Sequence, residues 1–312
     1  MSDPVAPPVT CSARSLALSE PLTATASRVR AWLLVEQPGP WGIDALTASR
    51  LDPEIGAALA RAGHAAGVRV LLVRRPGRTP AEDAERPRRC FIAHTGAAAR
   101  WVEQLAPADP AELLGIDLRA LRRPRPPGIG ATVTEPLLLV CTNGRHDRCC
   151  ADRGRPLALA LARTASVGEL VWESSHIGGD RFAGNLVCLP DGLYFGRVGP
   201  AEAAAVAGAY LSGRIDLDHY RGRSCYDMLV QAAEDAIRRK WGLDGVGDLV
   251  LTGREAAGTG EVVTRWAGPA GVYLARVRAV PTDPPRPLTC RSTRPVTPAA
   301  YEVTELRSES AA

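Results

Sequence analysis

Cysteine is concentrated in one short run of this sequence, CTNGRHDRCC, which contains Cys141, Cys149 and Cys150. The apolar run LLLVC overlaps its start and predicts a buried strand, and a helix is expected to begin at about Cys150. Free amides and the positive dipole at such a helix start favour the thiolate form of cysteine. Thiolates bind metals or act as nucleophiles, so this run is a candidate metal or redox centre.

A histidine and an aspartate lie in a second polar motif further along the chain. The run SSHIGGDRFAGN contains His176 and Asp180 and also follows a predicted strand. Ligands gather beyond the carboxyl ends of strands in open α/β sheets, so we expect the two motifs to face one another. Gly178 and Gly179 permit unusual backbone angles and the close approach of a bulky group. Together the motifs predict a site made of thiols, an imidazole and a carboxylate.

Three kinds of chemistry suit thiols at a helix start. Thiol–disulfide exchange of the thioredoxin type uses C-x-x-C, a spacing that the sequence lacks. A thiol enzyme could use Cys149 or Cys150 as nucleophile and Arg155 as anion holder, although Pro156 directly follows that arginine. An iron–sulfur cluster or a zinc site would use thiolate and imidazole ligands. A binding module without a cofactor is a further alternative.

The elements that position these motifs are predicted to form two α/β units. Residues 1–27 are rich in proline, serine and threonine and predict a flexible arm. The first unit, 28–121, begins with a buried strand and contains a helix with Asp52 as its cap and Pro53 at its first position. The second unit, 137–213, has the order strand, helix, strand, hairpin and helix. That order is typical of a reduced thioredoxin-like fold, and the first unit shares its strand–helix–strand–strand plan.

A third region, 220–312, is predicted to be a small α+β appendage. An amphipathic helix is expected over 226–241, followed by three strands and a frayed tail. The fold class predicted for the whole chain is therefore α/β, with two related units and this appendage.

Composition excludes several classes of partner. The net charge of +4 is spread along the chain rather than gathered in a basic run, so nucleic acid is not expected as a partner. The sequence contains no run of eighteen apolar residues and no signal-peptide pattern at its start, which predicts a cytoplasmic protein that is not a membrane protein. In a reducing compartment, eight cysteines indicate metal or redox chemistry rather than a disulfide framework.

The second unit resembles the sucrase/ferredoxin-like family. That family's motif has C-x8-C, then H-x-G-G-H, and Ala-Gly-Asn before a hairpin. Cys141 and Cys150 have the same spacing here, Asp147 lies at the matching place between them, and HIGGDRFAGN differs only at Asp180. The resemblance covers about residues 28–212 and implies that the second unit is a thioredoxin-like ferredoxin domain.

The resemblance further implies a 2Fe-2S cluster held by two cysteines and two histidines. By position, Cys141 and Cys150 would hold one iron, and His176 would help to hold the other. Asp180 stands where the second histidine is expected. With such a cluster the chain would be an electron carrier or redox sensor rather than a catalyst.

The fourth ligand is the point at which this sequence departs from the family pattern. Carboxylates are harder ligands than thiolate or imidazole. We expect Asp180 to be the ligand by position, with Cys149 or Cys188 as replacements and a labile or absent cluster as the remaining alternative.

A redox protein is the partner that this resemblance implies. Arg145, Arg148 and Arg181 would flank the centre, offset its negative charge and form a docking surface for an acidic partner. No pair of carboxylates is placed for glycoside hydrolysis, so the sucrase in the family's name predicts no such activity here.

Overall fold

The computed structural model describes residues 9–77, 87–282 and 284–309. The strands of its ten-stranded sheet are β1 (Ala31–Glu36), β2 (Arg69–Arg74), β3 (Cys90–Thr95), β4 (Arg100–Leu105), β5 (Ala131–Thr132), β6 (Leu137–Cys141), β7 (Val171–Ser174), β8 (Leu186–Leu189), β9 (Leu193–Phe195) and β10 (Tyr220–Arg223). A second sheet contains β11 (Val250–Gly258), β12 (Glu261–Gly268), β13 (Gly271–Pro281) and β14 (Ala299–Glu309). The helices are α1 (Cys11–Ala17), α2 (Pro53–Ala66), α3 (Arg148–Ala162), α4 (Ala203–Leu211) and α5 (Met228–Trp241). Among the residues described, no helix is long and apolar enough to cross a membrane.

One sheet runs through both α/β units. Its strand order is β10-β9-β8-β6-β7-β2-β1-β3-β4-β5. The units join where β2 pairs antiparallel with β7, at Val73 opposite Ser174 and Arg74 opposite Glu173. Each unit contributes one parallel pair, β1 with β2 and β6 with β7. The predicted α/β fold class is confirmed, and the two units form a continuous sheet.

The central strands are buried on both faces, as their apolar runs predict. Every residue of β1, β3 and β6 is buried. Along β6, Leu139 and Cys141 belong to the core that both units share, whereas Leu138 and Val140 belong to a core built largely with α3 and α4. Successive side chains of a strand point to opposite faces, so Cys141 ends β6 on the shared face.

The predicted start of α2 is confirmed in detail. The carboxylate of Asp52 accepts a hydrogen bond from the amide of Glu54 at 2.8 Å, and Pro53 is the first helical residue. Gly67 ends the helix with a φ of 67°, in the left-handed region that glycine adopts most easily. Local capping chemistry is therefore sufficient to set the limits of this helix.

The N-terminal segment is ordered against the second unit, which differs from the flexible arm expected over 1–27. In the described part, 9–27, α1 packs against the short turn that contains Arg181. The buried carboxylate of Glu20 lies 2.8 Å from Nε of Arg181. Polar anchors hold this segment, and such anchors leave no apolar periodicity in the sequence. Residues 1–8 lie outside the described residues.

The C-terminal region is an antiparallel sheet covered by α5. Its last strand, β14, pairs with β13 from end to end, so the frayed tail expected from the sequence is wrong for residues up to Glu309. Tyr301, Val303 and Leu306 of β14 pack against the core beneath α5. Most of its other residues are polar and exposed. That mixed polar pattern explains why the strand was missed.

Candidate metal centre

Cys141 and Cys150 meet at the junction between β6 and α3. Cys141 is the last residue of β6, Cys150 lies in the first turn of α3, and both side chains are buried. Asp147 caps α3 by accepting a hydrogen bond from the amide of Cys149 at 2.9 Å. Gly154 allows the helix to lie close to the strand, because a Cβ atom there would be 2.0 Å from the carbonyl oxygen of Cys141. The cap and this close approach bring the two thiols together.

His176 and Asp180 lie in the loop that follows β7. Gly178 and Gly179 have φ angles of 98° and 84°, which confirms the unusual backbone angles expected there. The side-chain amide of Asn185 donates a hydrogen bond to the carbonyl of Gly179 at 2.8 Å and holds the turn. The turn places Oδ1 of Asp180 2.9 Å from Nδ1 of His176.

The two polar motifs converge because β6 and β7 are neighbouring parallel strands. The sulfur atoms of Cys141 and Cys150 and a ring nitrogen of His176 lie within 4.8 Å of one another. The thiol of Cys150 also donates to Oδ1 of Asp180 at 3.2 Å. All four site residues predicted from the sequence are therefore close together beyond the carboxyl ends of two central strands, β6 and β7.

The charges of this group depend on one another. A hydrogen bond from Cys150 lowers the pKa of Cys141 to about 5, against the opposing effect of burial and with further help from His176. The same contact and burial raise the pKa of Cys150 far above its usual range. Burial opposes a charged His176, but Asp180 and Cys141 outweigh burial and raise its pKa to about 9. The group therefore contains a thiolate beside an imidazole that accepts a proton readily.

Nδ1 of His176 is buried, and Oδ1 of Asp180 lies 2.9 Å from it in an ion pair that is not aligned as a hydrogen bond. A ring nitrogen of His176 also lies within 4.8 Å of the sulfur atoms of Cys141 and Cys150. Thiolate, imidazole and carboxylate together are a donor set for zinc or iron. The residues present therefore fit a metal centre.

His146 is a further donor at the site, and sequence reasoning missed it. Its ring stacks on that of His176 with centroids 3.8 Å apart and an interplanar angle of 23°. A ring nitrogen of His146 lies within 4.8 Å of the ligand atoms of His176 and Asp180. Nδ1 of His146 is 3.3 Å from the carbonyl oxygen of Ile43, which lies in the loop between β1 and α2. Its position between Cys141 and Cys149 in CTNGRHDRCC was the available signal.

Other residues considered from the sequence lie away from this group. Cys188 lies on β8 opposite Leu138 of β6. Its side chain is buried on the face of the sheet opposite to that of Cys141. Cys149 contacts a different set of thiols, described below. Arg155 is exposed on α3, whereas both preceding thiols are buried, so the structure does not bring it to a nucleophile.

Two of the three predicted flanking arginines remain at the surface. Arg145 is exposed, and Arg148 is exposed in an ion pair with Asp152 at 2.8 Å. Arg181 instead turns inward to the buried carboxylate of Glu20. Of these three arginines, only Arg145 and Arg148 therefore present positive charge at the surface.

Together the fold and this group of residues define a class: an α/β protein with a thiol–imidazole–carboxylate group that could hold a metal beyond the carboxyl ends of two central strands. Comparison with protein families gives the particular family. The Sucrase/ferredoxin-like model matches residues 22–222, which is more than half of the chain. The chain belongs to this family, and the resemblance inferred from its motifs is confirmed. No curated protein and no solved structure matches the chain.

Proposed function

We propose that this protein binds a 2Fe-2S cluster and acts as a one-electron carrier or redox sensor. The observation that carries the proposal is the convergence of Cys141, Cys150 and His176, whose ligand atoms lie within 4.8 Å of one another. Membership of the sucrase/ferredoxin-like family supports it, since the matched region contains both motifs. Rieske centres provide a precedent for a 2Fe-2S cluster with thiolate and imidazole ligands.

In this proposal Cys141 and Cys150 would hold one iron, and His176 and Asp180 would hold the other. Asp180 is 2% exposed, and its Oδ1 lies 2.9 Å from Nδ1 of His176 and 3.2 Å from the sulfur of Cys150. The 2.9 Å separation suits two donors on one iron, whereas the 3.2 Å contact between Cys150 and Asp180 would open when the cluster binds, because ligands on different irons lie farther apart. His146 is the competing donor, because imidazole is a softer ligand than carboxylate and its other nitrogen already faces a carbonyl oxygen.

A cluster with two thiolate ligands rather than four would supply one-electron exchange at a raised reduction potential, as in Rieske centres. The polypeptide buries the thiols and leaves the His176 side chain 28% exposed. The stacked edges of His176 and His146 mark the face at which a redox partner protein would dock. Exposed Arg145, in the loop before α3, and Arg148, the first residue of α3, favour an acidic partner.

Anaerobic purification of the full chain tests this proposal. We expect a reddish-brown protein with about two iron and two sulfide ions per chain, and a paramagnetic resonance signal that develops on reduction. A colourless protein without iron or sulfide, both as purified and after reconstitution with ferrous iron and sulfide, would contradict the proposal.

Paired cysteine variants locate the cluster. Cys141→Ser should remove the visible absorption and the iron, whereas Cys188→Ala should retain both, because Cys188 is buried on the opposite face of the sheet. Circular dichroism of both variants should resemble that of the unmodified protein. Equal retention of iron in the two variants would place the cluster elsewhere.

A further inference from the structure

A second group of thiols lies beside the first and is separate from it. Cys11 comes from α1, Cys149 from the first turn of α3, and Cys290 from the segment between β13 and β14. Their sulfur atoms form a nearly equilateral triangle, with separations of 3.5 Å, 3.4 Å and 3.5 Å. The triangle joins residues up to 279 positions apart in the chain.

The size of this triangle suits a metal ion rather than a disulfide. A disulfide requires sulfur atoms about 2.05 Å apart. Tetrahedral zinc with Zn–S bonds of about 2.3 Å separates its thiolates by roughly 3.8 Å. The observed separations are only a few tenths of an ångström below that value. Three thiols at nearly equal distances also provide three ligands for one ion, whereas a disulfide would use two of them and leave the third thiol unpaired.

Asp147 provides a fourth donor for this group. Both of its carboxylate oxygens lie 3.7 Å from the sulfur of Cys11. The carboxylate accepts hydrogen bonds from the amide of Cys149 at 2.9 Å and the amide of Cys290 at 2.6 Å. Backbone amides thus orient the carboxylate and connect it to two of the three cysteines. Hydrogen bonds of this kind commonly orient the ligands of a metal.

The backbone also approaches a sulfur atom of the group. The amide of Cys11 donates to the sulfur of Cys290 at 3.3 Å and so fixes the position of that sulfur. Cys11, Cys149 and Asp147 are buried, whereas Cys290 is exposed. Cys290 therefore lies on the side from which an ion would enter.

We propose that Cys11, Cys149, Cys290 and Asp147 bind a zinc ion as a closed structural site. Four protein donors complete a tetrahedron, which leaves no position for a substrate. Zinc binding would displace the remaining thiol protons. The bound ion would connect the N-terminal segment, the start of α3 and the C-terminal segment. Because Cys149 and Cys150 are consecutive and belong to different groups, this site would brace the helix turn that carries a ligand of the proposed cluster.

Metal analysis of the full-length protein, purified without chelators, is the test. We expect about one zinc per chain in addition to any iron. Cys290→Ser and Cys11→Ser should lose the zinc, and Cys141→Ser should keep it while it loses iron. Cys225→Ala, a buried cysteine in the C-terminal core, is the matched control and should keep both metals.

Cobalt substitution measures the donor set directly. After zinc is removed by a chelator, Co²⁺ should produce intense thiolate-to-metal charge-transfer bands and the visible bands of tetrahedral cobalt. Asp147→Asn should retain the helix cap, because asparagine is a good N-cap residue, and should weaken cobalt binding. This measurement does not require that the cysteine variants fold.

Several results would overturn the proposal. One is a protein that contains no zinc and gives no thiolate bands with cobalt. Another is a disulfide between two of the three cysteines, detected by mass spectrometry of protein purified under reducing conditions. Iron and sulfide are counted separately, so zinc without iron would reject only the cluster, and iron without zinc would reject only this site.

Discussion

Asp180 is the residue at which this chain departs from the motif of its family, and the environment of Asp180 indicates what the change does. Burial favours its neutral form, but His176 and Cys150 outweigh burial and hold its pKa below the usual value. The carboxylate is therefore ionised beside the thiolate of Cys141. Compared with an imidazole, it adds a negative charge to the proposed cluster, which favours the oxidised state and lowers the reduction potential.

Exchange of this one side chain tests that reasoning. Asp180→His should keep the cluster and raise its reduction potential by tens of millivolts, since a neutral ligand replaces an anionic one. Asp180→Ala should lose most of the iron, and His146→Ala should retain it. Redox titration and iron analysis check these outcomes. Loss of iron from His146→Ala together with full retention in Asp180→Ala would assign the fourth ligand to His146.

The charge on the loop beside His146 should control encounters with small redox reagents. Arg145→Glu should slow oxidation of the reduced protein by anionic ferricyanide several-fold at low salt, and the difference should shrink at high salt. Arg163 is exposed at the other end of α3, a 15-residue helix about 22 Å long, so Arg163→Glu is the matched control. Stopped-flow rates at two ionic strengths measure the effect. If both variants slowed oxidation equally, the effect would come from the net charge of the protein and not from the position of Arg145, which would contradict the prediction.

The site was predictable from the sequence where it depended on local motifs. The approach of Cys141, Cys150, His176 and Asp180 follows from two loops at the ends of adjacent strands. The group around Cys11 and its distant partners depends on how the two ends of the chain fold over α3. Cysteines separated by 279 positions carry no shared local pattern, so nothing in the sequence connects Cys11 with Cys149 or Cys290.

At the scale of elements, buried charge rather than an apolar face holds the N-terminal segment. The carboxylate of Glu20 is 6% exposed and pairs with Arg181 at 2.8 Å and with Arg286 at 3.0 Å. The carbonyl of Glu20 also accepts a hydrogen bond from Arg197 at 2.6 Å. Glu20 thereby links the N-terminal segment to the loop after β7 and to the C-terminal segment.

Glu20→Gln should destabilise the protein by about 3–5 kcal/mol at neutral pH, because the buried Arg286 and the partly buried Arg181 lose their counter-charge. Although burial raises the pKa of Glu20, Arg181 and Arg286 hold it below the ordinary value of 4.5. The carboxylate therefore stabilises the protein fully above that pH and progressively less as pH falls through its folded pKa. Denaturant unfolding from pH 7 downward should show the two proteins converging in acid.

The control for this prediction is Glu255→Gln, at an exposed position on β11. It should change the free energy of unfolding by no more than about 0.5 kcal/mol. A constant difference between Glu20→Gln and the unmodified protein down to strong acid would contradict the ion-pair explanation.

Elements differ in how far the sequence predicts them. The start of α2 follows from Asp52, Pro53 and Glu54, because capping is a local interaction. β6 follows from its continuous apolar run. By contrast, α1 is a seven-residue helix with a capping hydrogen bond at Thr10 and few apolar contacts. β14 is apolar only where it meets α5. Both depend on packing with distant segments, and neither pattern is distinctive alone.

In the whole molecule, the two α/β units are joined by a packed core as well as by the pairing of β2 with β7. Trp172 of β7 is 1% exposed and meets Phe91 of β3 edge to face, with ring centroids 5.2 Å apart. The guanidinium of Arg75 lies 3.9 Å from the centroid of the Trp172 ring. Between β2 and β7, Arg74 pairs with Glu173 at 2.6 Å. The halves therefore share apolar, cation–π and ionic contacts.

This shared core predicts that the ten-stranded sheet unfolds as one unit. Trp172→Ala should cost about 3–5 kcal/mol, as expected for a large buried side chain, and should destabilise β1 and β8 equally although they lie in different halves. Hydrogen exchange of peptides from both strands, measured across a urea series, should give coincident transitions before and after the change.

The control is Trp241→Ala, which removes an edge-to-face contact with Tyr273 of the four-stranded sheet and should affect β13 first. Selective opening of β8 in Trp172→Ala, with β1 still protected, would show that the halves are separate folding units joined only by strand pairing.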